Sequence, residues 1–241
     1  MRHAAWAAVL LALALAAPAA AQEITLDLGD ESALATRGLT LIALVTLLSI
    51  VPGLAVMITC FPFIVTVLSI LRQAIGLQQS PPNMLIVTLA LFLTWYVMDP
   101  VLTEAWRNGL EPLSQGRADL QTALPATIAP FRVFMAARLD PETFAALQAL
   151  RPPTDAVAMA DAPLSILVPS FLLSEIQRAF EIGFLIFLPF LIIDLVVAAV
   201  LMSMGMMMVP PAIVSMPFKL AFFVVADGWS LISGALVRSY F

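Results

Sequence analysis

GFLIFLPFLIIDLVVAAVLMSMGMMMVPPAIVSMPFKLAFFVV, residues 183–225, decides the class of this chain. Between Asp194 and Lys219 it carries no charge, and Met202, Met204, Met206, Met207 and Met208 crowd the middle of that interval, with Pro210 and Pro211 just behind. A proline pair removes two backbone N–H donors in succession and pushes the residue before it out of helical geometry, which favours a helix boundary there. The stretch therefore predicts two long apolar helical segments, Gly183 to Val209 and Ala212 to Val237, joined at the proline pair. Methionine is flexible and polarizable, so a cluster of it suits a surface that closes against a changing partner and then yields. The same methionines read equally as lipid-facing or packing residues near a helix end.

Composition supports a membrane class. Hydrophobic residues make up 62% of the 241 and charged ones 11%, against roughly 45–50% and 25% in soluble domains. A net charge of -5 and a pI near 4.7 argue against a nucleic-acid partner, which calls for a basic face.

The first residues read as a targeting segment. Arg2 and His3 form a short positive region, Ala4 to Ala16 an apolar run and Ala19 to Ala21 a small-residue cleavage site, so residues 1–21 are expected to be a cleaved signal peptide. Its removal takes away His3, the one histidine, and leaves Cys60 as the one thiol. That pair of absences excludes a Ser-His-Asp or Cys-His nucleophile and a zinc site of the usual ligands. No glycine-rich phosphate loop is present either. No catalytic, cofactor or metal residues are therefore assigned, and the chain is expected not to be an enzyme.

Outward from the opening stretch, the expected fold class is all-α: about four long apolar helical segments arranged as hairpins around a helical insert. Residues 22–38 form a short N-terminal segment and residues 39–98 a first apolar hairpin. Pro52, Gly53 and Pro62 are places where this hairpin is expected to bend or break, and it turns near Ser80-Pro81-Pro82-Asn83. Residues 99–165 form a more polar insert with short amphipathic helices at Leu124 to Ala137 and Pro141 to Leu150. Residues 166–241 form the second hairpin. Its lead-in carries Ser174, Glu175, Arg178 and Glu181 at three- and four-residue spacings, which places them on one face as Glu175–Arg178 and Arg178–Glu181 pairs.

Asp194, Lys219 and Asp227 interrupt the second block. Ionisable groups at membrane depth cost roughly 2.5–3.5 kcal/mol each on insertion scales and usually face a partner or a cavity. Lys219 is expected to pair with Glu175, Asp194 or Asp227; the alternative makes Asp194 and Asp227 proton carriers in a transporter. A cleaved signal places the insert outside the cytoplasm. The arginines gather in that same insert, against the positive-inside trend, although an insert beyond about 60 residues escapes it.

The residues themselves resemble a family. Leu68 to Asn83 (LSILRQAIGLQQSPPN) with Leu89 to Thr94, Pro169 to Ile176 with Ala179 to Phe184, and Leu188 to Val196 through Met204 to Met208 and Pro217 to Leu220 to Asp227-Gly228-Trp229 resemble, in order, the FliP family (FliP/SctR-like) of flagellar type III export-gate proteins. Pro62-Phe63 stands where that family usually has a polar, often basic pair, and Asp99 where a small residue is common. The resemblance implies a non-enzymatic pore subunit that assembles as a homo-pentamer with FliQ-like and FliR-like subunits. FlhB-like and FlhA-like export components are further implied partners. Such a complex forms a helical gate in the flagellar basal body, at the inner membrane and raised toward the periplasm, and conducts unfolded flagellar proteins. Met206, Met207 and Met208 then match a gasket around the pore, and Glu175 and Lys219 match positions tied to assembly, with Arg178, Asp194 and Asp227 as further ion-pairing residues. Gly205, Pro210 and Pro211 are read as hinges of the methionine loop. The virulence-type (injectisome) homologues share the second block and remain an alternative.

Overall fold

In a computed structural model the chain is described over residues 38–46, 49, 53, 56–76, 81–150 and 158–241. The expected signal peptide, the segment that follows it up to residue 37, the Pro52 break, residues 77–80 of the first turn and the 151–157 loop lie outside the described residues. The chain divides into two compact units, Met1–Ser49 and Ile50–Phe241. In the first, residues 38–46 are helical, with Leu39, Leu41, Ile42, Leu44 and Val45 exposed. Among the described residues of the second unit all regular structure is helical.

Helix α1 (Phe61–Ile75) is the central element of this unit. Its buried residues Phe63, Ile64, Val67, Leu68, Leu71, Ala74 and Ile75 recur every three or four positions and form one apolar stripe. Pro62 sits in its first turn. That is where a missing N–H costs nothing, because the first amides of a helix have no carbonyl partner. Residues 58–60 form a turn and bend between the helical residues 56–57 and this helix, so the chain breaks just before Pro62, which opens α1. Gly76 ends it in the left-handed region, with φ 88° and its N–H donating to the Gln73 carbonyl.

Helix α2 (Asn83–Ala105) buries Ile86, Ala90, Thr94 and Val97 on one stripe, and packs on α1. It runs unbroken through Asp99 and Pro100 into a π-helical turn, Trp106–Leu110, and a last short turn, Glu111–Ser114. The π turn brings Gly109 against α3 (Leu120–Arg138): a Cβ there would lie 2.0 Å from Thr127 Oγ1. Asp119 caps α3 by accepting from the Leu120 N–H at 2.7 Å. Asp140 caps α4 (Pro141–Ala149), its Oδ2 accepting from the Thr143 N–H at 2.8 Å and hydroxyl at 2.7 Å. These bonds, the hydroxyl's first, hold the Asp140 carboxyl below its ordinary range.

Helix α5 (Leu164–Ser203) has 40 residues, roughly 60 Å at 1.5 Å per residue. It crosses α1 closely at Gly183, where a Cβ would meet Ile70 Cδ1 at 2.4 Å. A second apolar cluster of Met135, Leu139, Phe144, Ala162, Leu167 and Phe171 seats α3 and α4 on the start of α5. Beyond the methionine loop, α6 (Pro211–Val225) and α7 (Gly228–Arg238) meet at a bend of 61°. The run from Ala212 to Val237 is therefore a broken arm, not one straight segment. Asp227 sits at the break with φ 47°, a left-handed conformation that aspartate tolerates better than most residues. Of the four apolar segments expected, α2 with its extension and α5 are long and apolar enough to cross a membrane, α6 with α7 qualifies as a bent pair, and α1 is shorter.

Candidate functional site: the methionine loop and its charged ties

The loop Met204–Pro210 follows directly from how α5 ends. Gly205 takes φ 75°; its N–H donates to the Met202 carbonyl at 3.1 Å while the Met206 N–H reaches the Leu201 carbonyl at 3.0 Å. This is the paired closure that a left-handed residue permits just past a helix C-terminus, and glycine takes that conformation without a Cβ clash. Two further bonds tighten the loop, Met207 N–H to Gly205 carbonyl at 3.0 Å and Val209 N–H to Met206 carbonyl at 3.4 Å. Pro210 caps α6 and Pro211 opens it. The three residues read as hinges thus define the two ends of the loop.

The methionines do not share one environment. Met206 is 43% exposed, whereas Met207 and Met208 are 84% and 97% exposed. Met206, with Met204, Val209, Val197, Val214 and Phe218, lines an apolar groove of about 700 Å³ between α5 and α6. Met207 and Met208 project from the tip without contact of that kind. Met202 and Met204, which packing alone would bury, are also mostly exposed.

Two charged clusters fasten the arms that carry this loop. Lys219 Nζ donates to Asp194 Oδ2 at 2.6 Å and to the Ala74 carbonyl at 3.1 Å, and Asp194 Oδ1 accepts from the Ser215 hydroxyl at 2.5 Å. Of the three carboxylates open to Lys219, the fold selects Asp194. The ammonium is buried while Asp194 stays partly exposed, and its bond to Ala74 satisfies one of the open carbonyls at the end of α1. Ser215 and Lys219 are four residues apart, so both reach α5 from one face of α6.

The second cluster surrounds Glu175, which is wholly buried. Arg138 Nε donates to Glu175 Oε1 at 3.0 Å, and Arg178 Nη1 lies 3.6 Å from the same oxygen. The Tyr240 hydroxyl donates to Oε2. Arg138 also donates to the Ser239 carbonyl at 2.8 Å and lies 4.0 Å from the centre of the Tyr240 ring. The Glu175–Arg178 pair predicted from spacing is present, with Glu175 buried and Arg178 partly exposed. Glu181 instead accepts from Gln177 at 3.2 Å, and the Arg178–Glu181 pair is not among the ion pairs of the described residues. Asp227 pairs with no cation among them either; it marks the bend between α6 and α7.

Sequence reasoning missed Arg138, Tyr240 and Ser215. Only the Ser215–Lys219 spacing carried a local signal. Arg138 and Tyr240 lie 37 and 65 residues from Glu175, so no periodicity could connect them.

Comparison with known proteins bears on what this arrangement serves. The family model described as FliP family matches residues 44–236. The flagellar biosynthetic protein FliP of Caulobacter vibrioides is 47% identical over 244 residues, covering 100% of this chain and 92% of its own length. The protein of the same name from Agrobacterium fabrum is 44% identical over 239 residues, 96% of this chain and 98% of the relative. That from Bacillus subtilis is 42% identical over 200 residues, 83% and 90%.

Proposed function

The chain belongs to the FliP family, and from that premise we propose that it is a pore-forming subunit of a flagellar type III export gate, conducting unfolded flagellar proteins across the bacterial inner membrane. The observation that carries this reading is the loop Met206–Met208, set at the tip between a 40-residue apolar helix and a bent return arm, with Met207 and Met208 almost fully exposed. The described residues of a single chain leave these side chains bare. A ring of copies covers them, each loop meeting its neighbours around a central axis.

The chemistry suits a gate rather than an enzyme. A closed gate must stop water and ions yet pass a polypeptide of any sequence, and an apolar constriction does this by dewetting, without specific bonds. Methionine side chains re-form around whatever passes. Gly205 and the Pro210-Pro211 pair confine the loop's movement to its two ends. The exposed apolar faces of α2 and α5, including Phe92, Trp95, Phe184 and Leu195, suit contact with further copies, with FliQ-like and FliR-like subunits, and with lipid. On this reading the complex is a homo-pentamer with those partners, working beside FlhA-like and FlhB-like components, raised toward the periplasm within the basal body. Asp194 is engaged by Lys219 and Ser215, which favours a structural tie over the proton-carrier alternative.

Replacing Met206, Met207 and Met208 together by alanine is expected to make the membrane leaky to small ions while secretion partly survives. Single-channel or ion-flux conductance unchanged from the parent protein counts against the gasket.

A further inference from the structure

The arm formed by α6 and α7 is tied to α5 at two places. Near the methionine loop, Ser215 and Lys219 hold Asp194. At its far end, Tyr240 holds Glu175. Asp194 and Glu175 lie on one continuous helix, roughly 28 Å apart along its axis. Between the two anchors the arm bends by 61° at a left-handed aspartate, a joint that no side-chain cap secures. An arm jointed in this way holds one shape only while both ends are fixed.

The far anchor is built around a hydroxyl group. Ring packing at Tyr240 is good: it stacks on Phe134 with centroids 6.0 Å apart and meets Phe63 edge-on at 5.6 Å. Phenylalanine would keep those contacts. It would not satisfy Glu175, whose Oε1 is taken by the two arginines and whose Oε2 accepts from the Tyr240 hydroxyl. Glu175 is fully buried, so an oxygen left without its donor there carries the full cost of desolvation. Arg138 makes the anchor two-sided: one guanidinium holds Glu175, covers the tyrosine ring and binds the Ser239 carbonyl.

We propose that Tyr240 is a positioning residue: through its hydroxyl bond to Glu175 it clasps the far end of the α6–α7 arm to α5, and assembly of the gate with further copies of this chain depends on that clasp. The assembly half of this inference rests on the function proposed above. The clasp itself does not, and the two fail separately.

The test uses the full chain extracted in detergent as wild type, Tyr240→Phe, Glu175→Gln, the double variant, and Phe241→Ala as a neighbouring change at an exposed ring. Limited trypsin cleavage after the exposed Arg238, followed by mass spectrometry, reads release of the clasped segment. Tyr240→Phe is expected to raise that rate about tenfold or more, the loss of a hydrogen bond to a charged group. The double variant is expected to cleave no faster than the faster single, because both changes remove one shared bond. Native mass is expected to show less assembled complex for Tyr240→Phe and an unchanged share for Phe241→Ala. Cleavage of Tyr240→Phe at the wild-type rate, or rates that multiply in the double variant, overturns the clasp. Faster cleavage with undiminished assembly overturns the positioning role. A wild-type chain that is itself monomeric overturns the export-gate reading, and the cleavage ratios still judge the clasp.

Discussion

The two halves of α5 are the same helix under opposite conditions. Up to Gly183 it buries Ile166, Leu167, Ser170, Phe171, Ser174, Glu175 and Ala179, and its polar groups are bonded to α3, to the start of α4 and to Tyr240. Beyond Gly183 only Phe190 and Leu201 are buried, and Phe184, Leu185, Ile192, Leu195 and Val196 face outward. The first half has a buried face made by its own chain, with Leu173 and Phe180 left exposed on the other side. The second has the composition of an interior but is left uncovered by the described residues of its own unit, which marks it as a surface for contact. The methionine loop crowns that uncovered half, and one charged tie, Lys219 with Asp194, holds it in line.

That contrast breaks most visibly at the buried cluster. Arg138→Met strands Glu175 with its nearer cation removed, and the expected loss is about 3–5 kcal/mol, read as a lowered urea midpoint of the detergent-solubilised chain. A loss below 1 kcal/mol would mean that Arg178 and Tyr240 suffice for Glu175. In the second half Asp194→Asn is expected to cost less, about 1.5–3 kcal/mol, because Asp194 is partly exposed and Lys219 keeps the Ala74 carbonyl. A neutral effect on folding with complete loss of transport would instead favour the proton carrier. The smallest effect is expected at Leu195→Ala, within about 0.5 kcal/mol in the isolated chain, since Leu195 is 62% exposed there. The same change is expected to lower the yield of assembled complex on a native gel. Equal yields would show that this face is not an interface.

Much of the local architecture could be read along the chain. Asp140 and Pro141 announce the start of α4, and the turn near Pro81-Pro82-Asn83 precedes the start of α2. Pro211 announces α6 in the same way. Pro62 was expected to bend or break a helix and stands at such a break, opening α1 after the turn and bend at 58–60, whereas Pro100 and Pro189 lie inside helices, so a proline alone does not say where a helix ends. The errors lie elsewhere and share a cause, contacts between residues distant in sequence. The Ala212 to Val237 run looked continuous because nothing in Asp227-Gly228 is as emphatic as a proline pair; Gly228 is needed because a Cβ there would lie 2.1 Å from Phe223, a close approach visible only in three dimensions. Arg178 was expected to serve Glu175 and Glu181 alike, but the arrival of Arg138 and Tyr240 buries Glu175 and leaves Glu181 outside.

By itself the sequence determined the membrane class, the all-helical fold, and the methionine loop with its Gly205 and Pro210-Pro211 boundaries. These depend on composition, on helical periodicity and on the fixed preferences of glycine and proline, all of which act within a few residues. Only the tertiary structure decided which carboxylate Lys219 meets, that Glu175 is enclosed by Arg138, Arg178 and Tyr240, and that Met206 turns into a groove while Met207 and Met208 stay bare. Those choices join residues up to 65 positions apart. They are settled by which buried charge finds a partner once the helices have packed, because in a low-dielectric interior an unpaired charge is among the costliest things a fold can contain.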